Sequence, residues 1–231
     1  MAENQQHIIL QGKGLSLGYF HRKVRKEVLD GLDFRLLKGE LTCLLGPNGV
    51  GKSTLIKAIL GQIRPWKGEI LLENQPIQNF GTEELAKRIA VVLTDPVFPG
   101  NMTVGQLVAL GRTPHTGWSG RLNERDREIV EQALADTKIN YLRDERLSEI
   151  SDGQRQKAMI ARALAQDGQL MILDEPTEGL DVDAAHALLA DLPALLEGRS
   201  LRVITHDPLP AGVVDQVYRL QGGRLHAVEP S

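Results

Sequence analysis

The segment GPNGVGKS at positions 46 to 53 follows the apolar run Leu41 to Leu45 and opens a predicted helix. A buried strand that turns through glycines directly into a helix commits a chain to an α/β architecture with a phosphate cradle at the turn. Gly46, Gly49 and Gly51 stand where backbone N–H groups must approach phosphate oxygens that a Cβ would obstruct. Pro47, Asn48 and Val50 complete the loop, Lys52 is placed to reach the β- and γ-phosphates, and Ser53 to offer its hydroxyl to Mg²⁺. Thr54 belongs to the first turn of the helix, whose unpaired N–H groups and dipole favour an anion. The predicted ligand is a nucleoside triphosphate.

With 231 residues the chain has room for one α/β domain with a sizeable core and a small appended subdomain. A net charge of -3, from 27 basic and 30 acidic side chains, supplies no global field for nucleic acid. The one cysteine, Cys43, lies inside the apolar run before the loop and reads as a buried strand residue in a reducing compartment. The opening MAENQQHIIL has neither the basic start nor the apolar centre of a secretory signal. No apolar run approaches the ~20 residues that span a bilayer, so any membrane role is expected to come through a partner.

Residues 7 to about 37 and 68 to 77 read as short strands that would form an antiparallel sheet beside the strand before the loop. From about 81 to 165 the pattern becomes helical. Thr103 and Gln106 have capping-box spacing, Gly111 is expected to end that helix, and Asn123 to cap a second one with Ile129, Val130, Ala133 and Leu134 on one face. Strand-like residues 170–173 and 202–205 then flank a helix from about Asp183, which Pro193 is expected to kink or split. Strands alternating with helices imply a parallel sheet whose carboxyl ends hold the ligand. Three of those ends carry polar residues: the loop after Leu45, Asp174-Glu175 after Leu173, and His206 after Thr205.

A carboxylate directly after an apolar strand in such a protein can hold Mg²⁺ through its water shell, which is the role expected of Asp174. A second one beside it can orient or deprotonate the attacking water, making Glu175 the candidate catalytic base. His206, at a neighbouring strand end, could contact the γ-phosphate and that water. Ser151-Asp152-Gly153-Gln154 begins a good helix former, RQKAMIARALA, with Ser151 and Gln154 at capping-box spacing. The same hydroxyl and N–H groups also make an anion-binding surface.

The segment ISDGQ, shortly before the Asp174 strand, closely resembles the LSGGQ signature of ATP-binding cassette (ABC) ATPases. The resemblance extends from about residue 8 to 225. It implies a P-loop fold of the ABC type, with a parallel core and antiparallel β subdomain over about 1–80 and 166–231, and a helical subdomain inserted at about 81–165. It further implies that Tyr19 stacks on adenine, that Gly179-Leu180-Asp181 is the D-loop, and that His206 is the switch histidine. Two chains would pair head to tail as a homodimer. Each ATP would lie between one P-loop and the partner's signature residues, with Lys52, Glu175 and His206 carrying hydrolysis.

The family normally has a glutamine at the end of the strand entering the helical subdomain, where this chain has Thr94 followed by Asp95. Either a water extends the reach of Thr94 to the metal or Asp95 substitutes. The stretch from Val91 to Trp118 is similar to bacterial importer ATPases for iron-siderophore, haem and cobalamin, although the residues after His206 depart from the usual continuation. The expectation is an ATPase subunit on the cytoplasmic face of a bacterial membrane, bound to permease subunits and served by a substrate-binding protein. An exporter ATPase is the alternative within the same chemistry. A soluble member acting on nucleic acid or ribosomes would need a long coiled-coil insertion or a second cassette, and a small-molecule kinase would have no use for ISDGQ. Val97, Phe98 and Met102 are candidate permease contacts, or equally ordinary loop packing.

Overall fold

The computed structural model describes residues 8–22, 24–93, 101–117, 120–195, 200–205 and 214–229. Strands β1 (Ile8–His21), β2 (Val24–Leu37), β4 (Lys67–Leu72) and β5 (Gln75–Pro76) form a four-stranded antiparallel sheet in the order β2-β1-β4-β5. The second sheet holds six strands in the order β10-β9-β3-β8-β7-β6. Its members are β3 (Leu41–Leu45), β6 (Ile89–Val92), β7 (Leu170–Asp174), β8 (Ser200–Thr205), β9 (Gln216–Gln221) and β10 (Arg224–Val228). All its neighbours pair in parallel except the β9–β10 hairpin at the edge. Among the described residues six α-helices accompany the sheets: α1 (Lys52–Ile59), α2 (Thr82–Arg88), α3 (Val104–Ala109), α4 (Glu124–Asp136), α5 (Asp152–Ala165) and α6 (Val182–Leu195).

Strands β3, β6 and β7 of the large sheet are buried along nearly their whole length, which is why they lack a regular polar alternate, whereas β9 and β10 at its edge are mostly exposed or half-buried. Along β7, Leu170 and Ile172 enter the core shared with α1 and the antiparallel sheet, while Met171 and Leu173 enter the core shared with α3, α4, α5 and α6. Cys43 on β3 is buried as expected. Placed between two cores, the carboxyl ends of β3 and β7 have little freedom, so the side chains that follow them are held by the fold.

Three sequence expectations change. The first region is one hairpin of two 14-residue strands, not several short ones, and register shifts around Gly12 and Gly18 let so long a ribbon bend. Gly111 does not end its helix: the chain continues as a 3₁₀ turn over Leu110–His115. A Cβ at Gly111 would lie 2.2 Å from the Arg162 carbonyl oxygen, so the glycine permits close approach to α5. Pro193 does not split α6, which runs on to Leu195; having no N–H, the proline cannot donate to the carbonyl of Leu189 four residues before it.

The span 81–165 contains β6, paired with β7 in the large sheet, as well as α3, α4 and α5. The Thr103–Gln106 and Asn123 caps form as read, the latter with Asp126 completing the box. Asp126 also pairs with Arg112 at 2.9 Å, and Arg112 donates to the Ala165 carbonyl at 2.8 Å, so this buried ion pair ties α4 to the end of α5.

Candidate functional site

The turn between β3 and α1 takes the shape its glycines allow. Gly49 and Gly51 have φ of 78° and 115°, and a Cβ at Gly51 would come within 2.6 Å of Leu29 Cδ2. At Gly46 a Cβ would lie 2.8 Å from the Leu220 carbonyl oxygen, so the loop is pressed against β9. The Val50 N–H donates to the Pro47 carbonyl at 3.3 Å, closing the turn. Helix α1 begins after Gly51 with no side-chain cap, which leaves its first N–H groups available to an anion. These groups face a cleft of about 580 Å³ lined by Asn48, Gly49, Gly51, Lys52, Ser53 and Thr54.

Across the cleft stand Asp174, the last residue of β7, and Glu175, whose φ of 48° places it in the left-handed region. Lys52 Nζ donates to the Gly46 carbonyl at 2.6 Å and pairs with Glu175 Oε1 at 2.6 Å; the two side chains are only 6% and 9% exposed. Burial, then the neighbouring Glu175 charge, pushes the Asp174 carboxyl up to about 6; Lys52 opposes the shift and Glu178 adds to it. Tyr19 on β1 lines the same cleft with its ring partly exposed, and its hydroxyl lies 3.1 Å from Thr54 Oγ1.

A second cleft, about 350 Å³, adjoins the first at Asp174, Glu175 and Glu178 and is bounded by Asp152 and Arg155 of α5 and by Gly179 and Leu180. At the start of α5, Ser151 Oγ accepts from the Gln154 N–H at 3.3 Å while Gln154 Oε1 accepts from the Ser151 N–H at 2.9 Å. The capping box is thus real, and Gly153 faces Ala184 of α6. Asp181 Oδ1 accepts from the Ala184 N–H at 2.8 Å, capping α6. The structure therefore gathers Tyr19, the 46–54 loop, Asp174 and Glu175 around one cleft, and sets Asp152 at the adjoining one. Thr94, Asp95, Val97, Phe98 and His206 lie outside the described residues.

Three residues escaped the sequence reading. Glu178 lines both clefts, and the third acid of DEPTE was a visible signal for it. Arg155 donates to Asp152 Oδ1 at 2.7 Å and bonds the Leu147 and Ile150 carbonyls, bracing the turn before α5. The exposed Tyr141 accepts from Gln154 Nε2 at 3.4 Å, a contact no local pattern foretells. Ser53 and Asp174 offer hard oxygen donors within one cleft, which suits Mg²⁺ completed by phosphate oxygens and water. Among the described residues no group of three or more His, Cys, Asp or Glu side chains is placed to hold a metal alone.

Comparison with known proteins gives a consistent result. Residues 29–178 match the family described as ABC transporter. The petrobactin import ATP-binding protein of Bacillus anthracis is 36% identical over 221 residues, covering 94% of this chain and 80% of that protein. The hemin import ATP-binding protein of Pseudomonas fluorescens is 38% identical over 214 residues, covering 90% and 82%. Among solved structures, cbiO1 from Clostridium perfringens, part of an ABC transporter complex, superposes with a TM-score of 0.83 at 31% identity, covering 95% of this chain and 87% of that one.

Proposed function

Because the chain belongs to the ABC transporter family and is an ATP-binding, ATP-hydrolysing subunit of a membrane transporter, we propose that it powers import of an iron-chelate, haem or cobalamin-type substrate. The observation that carries the chemistry is the convergence of Lys52, Ser53, Asp174 and Glu175 on a cleft floored by the uncapped start of α1. The import reading is supported by relatives that act in petrobactin and hemin import and align over most of the chain.

In this reading the 46–51 loop and the first turn of α1 bind the phosphates through backbone N–H groups, and Lys52 offsets their charge. Tyr19 stacks on the base. Ser53 and Asp174, with Thr94, would hold Mg²⁺, which would supply positive charge to offset that of the phosphates. Glu175 accepts the proton of the attacking water and His206 orients it. Thr94 and His206 are assigned from the sequence alone. The residues 151–154 and Asp181 act across a head-to-tail homodimer, covering the nucleotide of the partner. Within the span of about 81–165, β6 belongs to the core sheet, and the helices that follow it make up the helical subdomain.

No described helix is long and apolar enough to cross a membrane. Attachment to the cytoplasmic face is accordingly through permease subunits, with a substrate-binding protein completing the system. The test is to tag the chain in its native cell, extract membranes in mild detergent and identify what co-purifies. A polytopic membrane protein at comparable stoichiometry is expected, and the complex in liposomes should take up a ferric chelate, haem or cobalamin when ATP is supplied. Recovery only with ribosomes, with DNA or in the soluble fraction would overturn the transporter reading, and ATP-driven export of the substrate would overturn its direction.

A further inference from the structure

The hairpin of β1 and β2 reaches past the rest of its sheet where it carries Tyr19. Pairing of β1 with β4 ends at Ser16–Lys67, whereas pairing with β2 runs on to His21–Val24. Between Leu17–Leu29 and Gly18–Glu27 the register also skips Val28, a bulge directly before the tip. A slip of one residue there would turn Tyr19 away from the cleft and put the adjacent Phe20 in its place. A two-stranded ribbon is marginal in water and does not fix such a choice by itself.

Trp66 supplies the missing support. Its backbone N–H donates to the Ser16 carbonyl at 2.8 Å, immediately before β4 begins. A Cβ at Gly18 would lie 2.5 Å from Trp66 Cη2, so the bare glycine lets the indole rest on β1. The Phe20 ring meets the indole with centroids 5.6 Å apart, and the guanidinium of Arg25, the cross-strand partner of Phe20, lies 4.1 Å from the indole centroid. Side chains alternate along a strand. Gly18, Phe20 and Arg25 accordingly take the indole, while the pair Tyr19–Lys26 lines the nucleotide cleft. Neither Trp66 nor Phe20 belongs to the two buried cores, so their contact holds the tip rather than the domain. We propose that Trp66 is a positioning residue for the nucleotide base: resting on Gly18 and held by Phe20 and Arg25, it sets the register that turns Tyr19 toward the cleft. The inference rests on the reading of Tyr19 as the base platform. Thr54 steadies the phenol end of Tyr19 at 3.1 Å and Trp66 its backbone, so the ring needs little ordering to receive a base.

The test is a cycle of variants in the 231-residue chain, with ADP binding read by titration calorimetry. Tyr19→Ala should weaken binding about ten-fold, within the range for loss of base–aromatic stacking. Trp66 is not among the residues that line the cleft, yet Trp66→Ala should weaken binding about five-fold, the lower end of that range. Trp66→Phe should stay within about two-fold of wild type, because a phenyl ring can still take the Phe20 and Arg25 contacts. In a Tyr19→Ala background the further loss from Trp66→Ala should fall below about two-fold, since its effect passes through the ring already removed. A loss from Trp66→Ala that is the same with and without Tyr19 would mean that it acts on the fold at large. Unchanged binding in Trp66→Ala, with Tyr19→Ala weakened, would mean that the tip keeps its register without the indole. Either result overturns the inference and leaves the base reading standing. Unchanged binding in Tyr19→Ala overturns the base reading and the inference with it.

Discussion

Asp174 is held where its charge is expensive, and replacing it should stabilise the empty protein. Burial and the charges of Glu175 and Glu178 outweigh Lys52 and push its carboxyl from 3.8 to about 6. That difference corresponds to about 3 kcal/mol of penalty on the ionised form, reduced to about 2 kcal/mol by screening from water in the open cleft. The sign follows from proton uptake. Above about pH 6 Asp174 is ionised in both folded and unfolded chains, and only the folded chain bears the penalty. As pH falls through 6 the folded chain takes up a proton first, so wild-type stability gains until the unfolded carboxyl is protonated as well, near 3.8. Asp174→Asn never bears the penalty. It should melt about 4–8 °C above wild type at pH 7.5, at roughly 2–4 °C per kcal/mol for a chain of this size. The two should converge near pH 4. Thermal melts in EDTA at intervals between pH 4 and 8 test this. A variant that is less stable at pH 7.5, or a difference that does not change with pH, would refute the argument that Asp174 is retained at a cost to the fold.

Asp126 should behave in the opposite sense. Burial alone would raise its carboxyl, but the Asn123 N–H and Arg112 outweigh that and hold it below the usual range, so its contribution to stability is present above about pH 4 and is lost as pH falls further. Asp126→Asn leaves Arg112 charged in a buried setting and should cost about 3–5 kcal/mol in urea unfolding, whereas Arg112→Met with Asp126→Leu should recover most of it; a single-variant cost under about 1 kcal/mol would refute the pairing argument. In the phosphate loop, Gly49→Ala meets no atom within 4 Å, whereas Gly51→Ala collides with Leu29 and Val28. Both incur strain of about 1–3 kcal/mol from positive φ, and a Cβ at either would obstruct a phosphate oxygen, but only Gly51→Ala should also displace the loop, at a further stability cost of about 1–3 kcal/mol. Equal loss of stability in the two variants, read by calorimetry, would mean that the contact with β2 does not set the loop.

What could be read in the sequence was what the chain settles locally. The caps at Thr103, Asn123 and Ser151 depend on residues three apart, and all three form. The glycine pattern of the 46–53 loop is dictated by backbone geometry at the turn itself, and the loop has the shape expected of it. Readings failed where a residue answers to a distant neighbour. Gly111 looked like a helix stop because glycine often is one, yet its reason is the Arg162 carbonyl on another helix. Asp174 and Glu175 were legible as a pair of carboxylates after a strand. That Glu175 would hold Lys52 depended on β3 and β7 lying in one sheet, and that Tyr19 would reach Thr54 depended on the antiparallel sheet packing over α1, neither of which a single segment encodes. The same distinction explains where the site's tension lies. Local pattern delivers each charged group to a strand end or helix start at little cost, but closing the fold brings Asp174, Glu175 and Glu178 to one cleft that Lys26, Lys52 and Lys57 also line. Around Asp174 burial and the charges of Glu175 and Glu178 outweigh Lys52, so its ionised carboxylate is poorly matched to its surroundings. It is better matched to a divalent cation, which would supply positive charge beside that carboxylate at the end of β7.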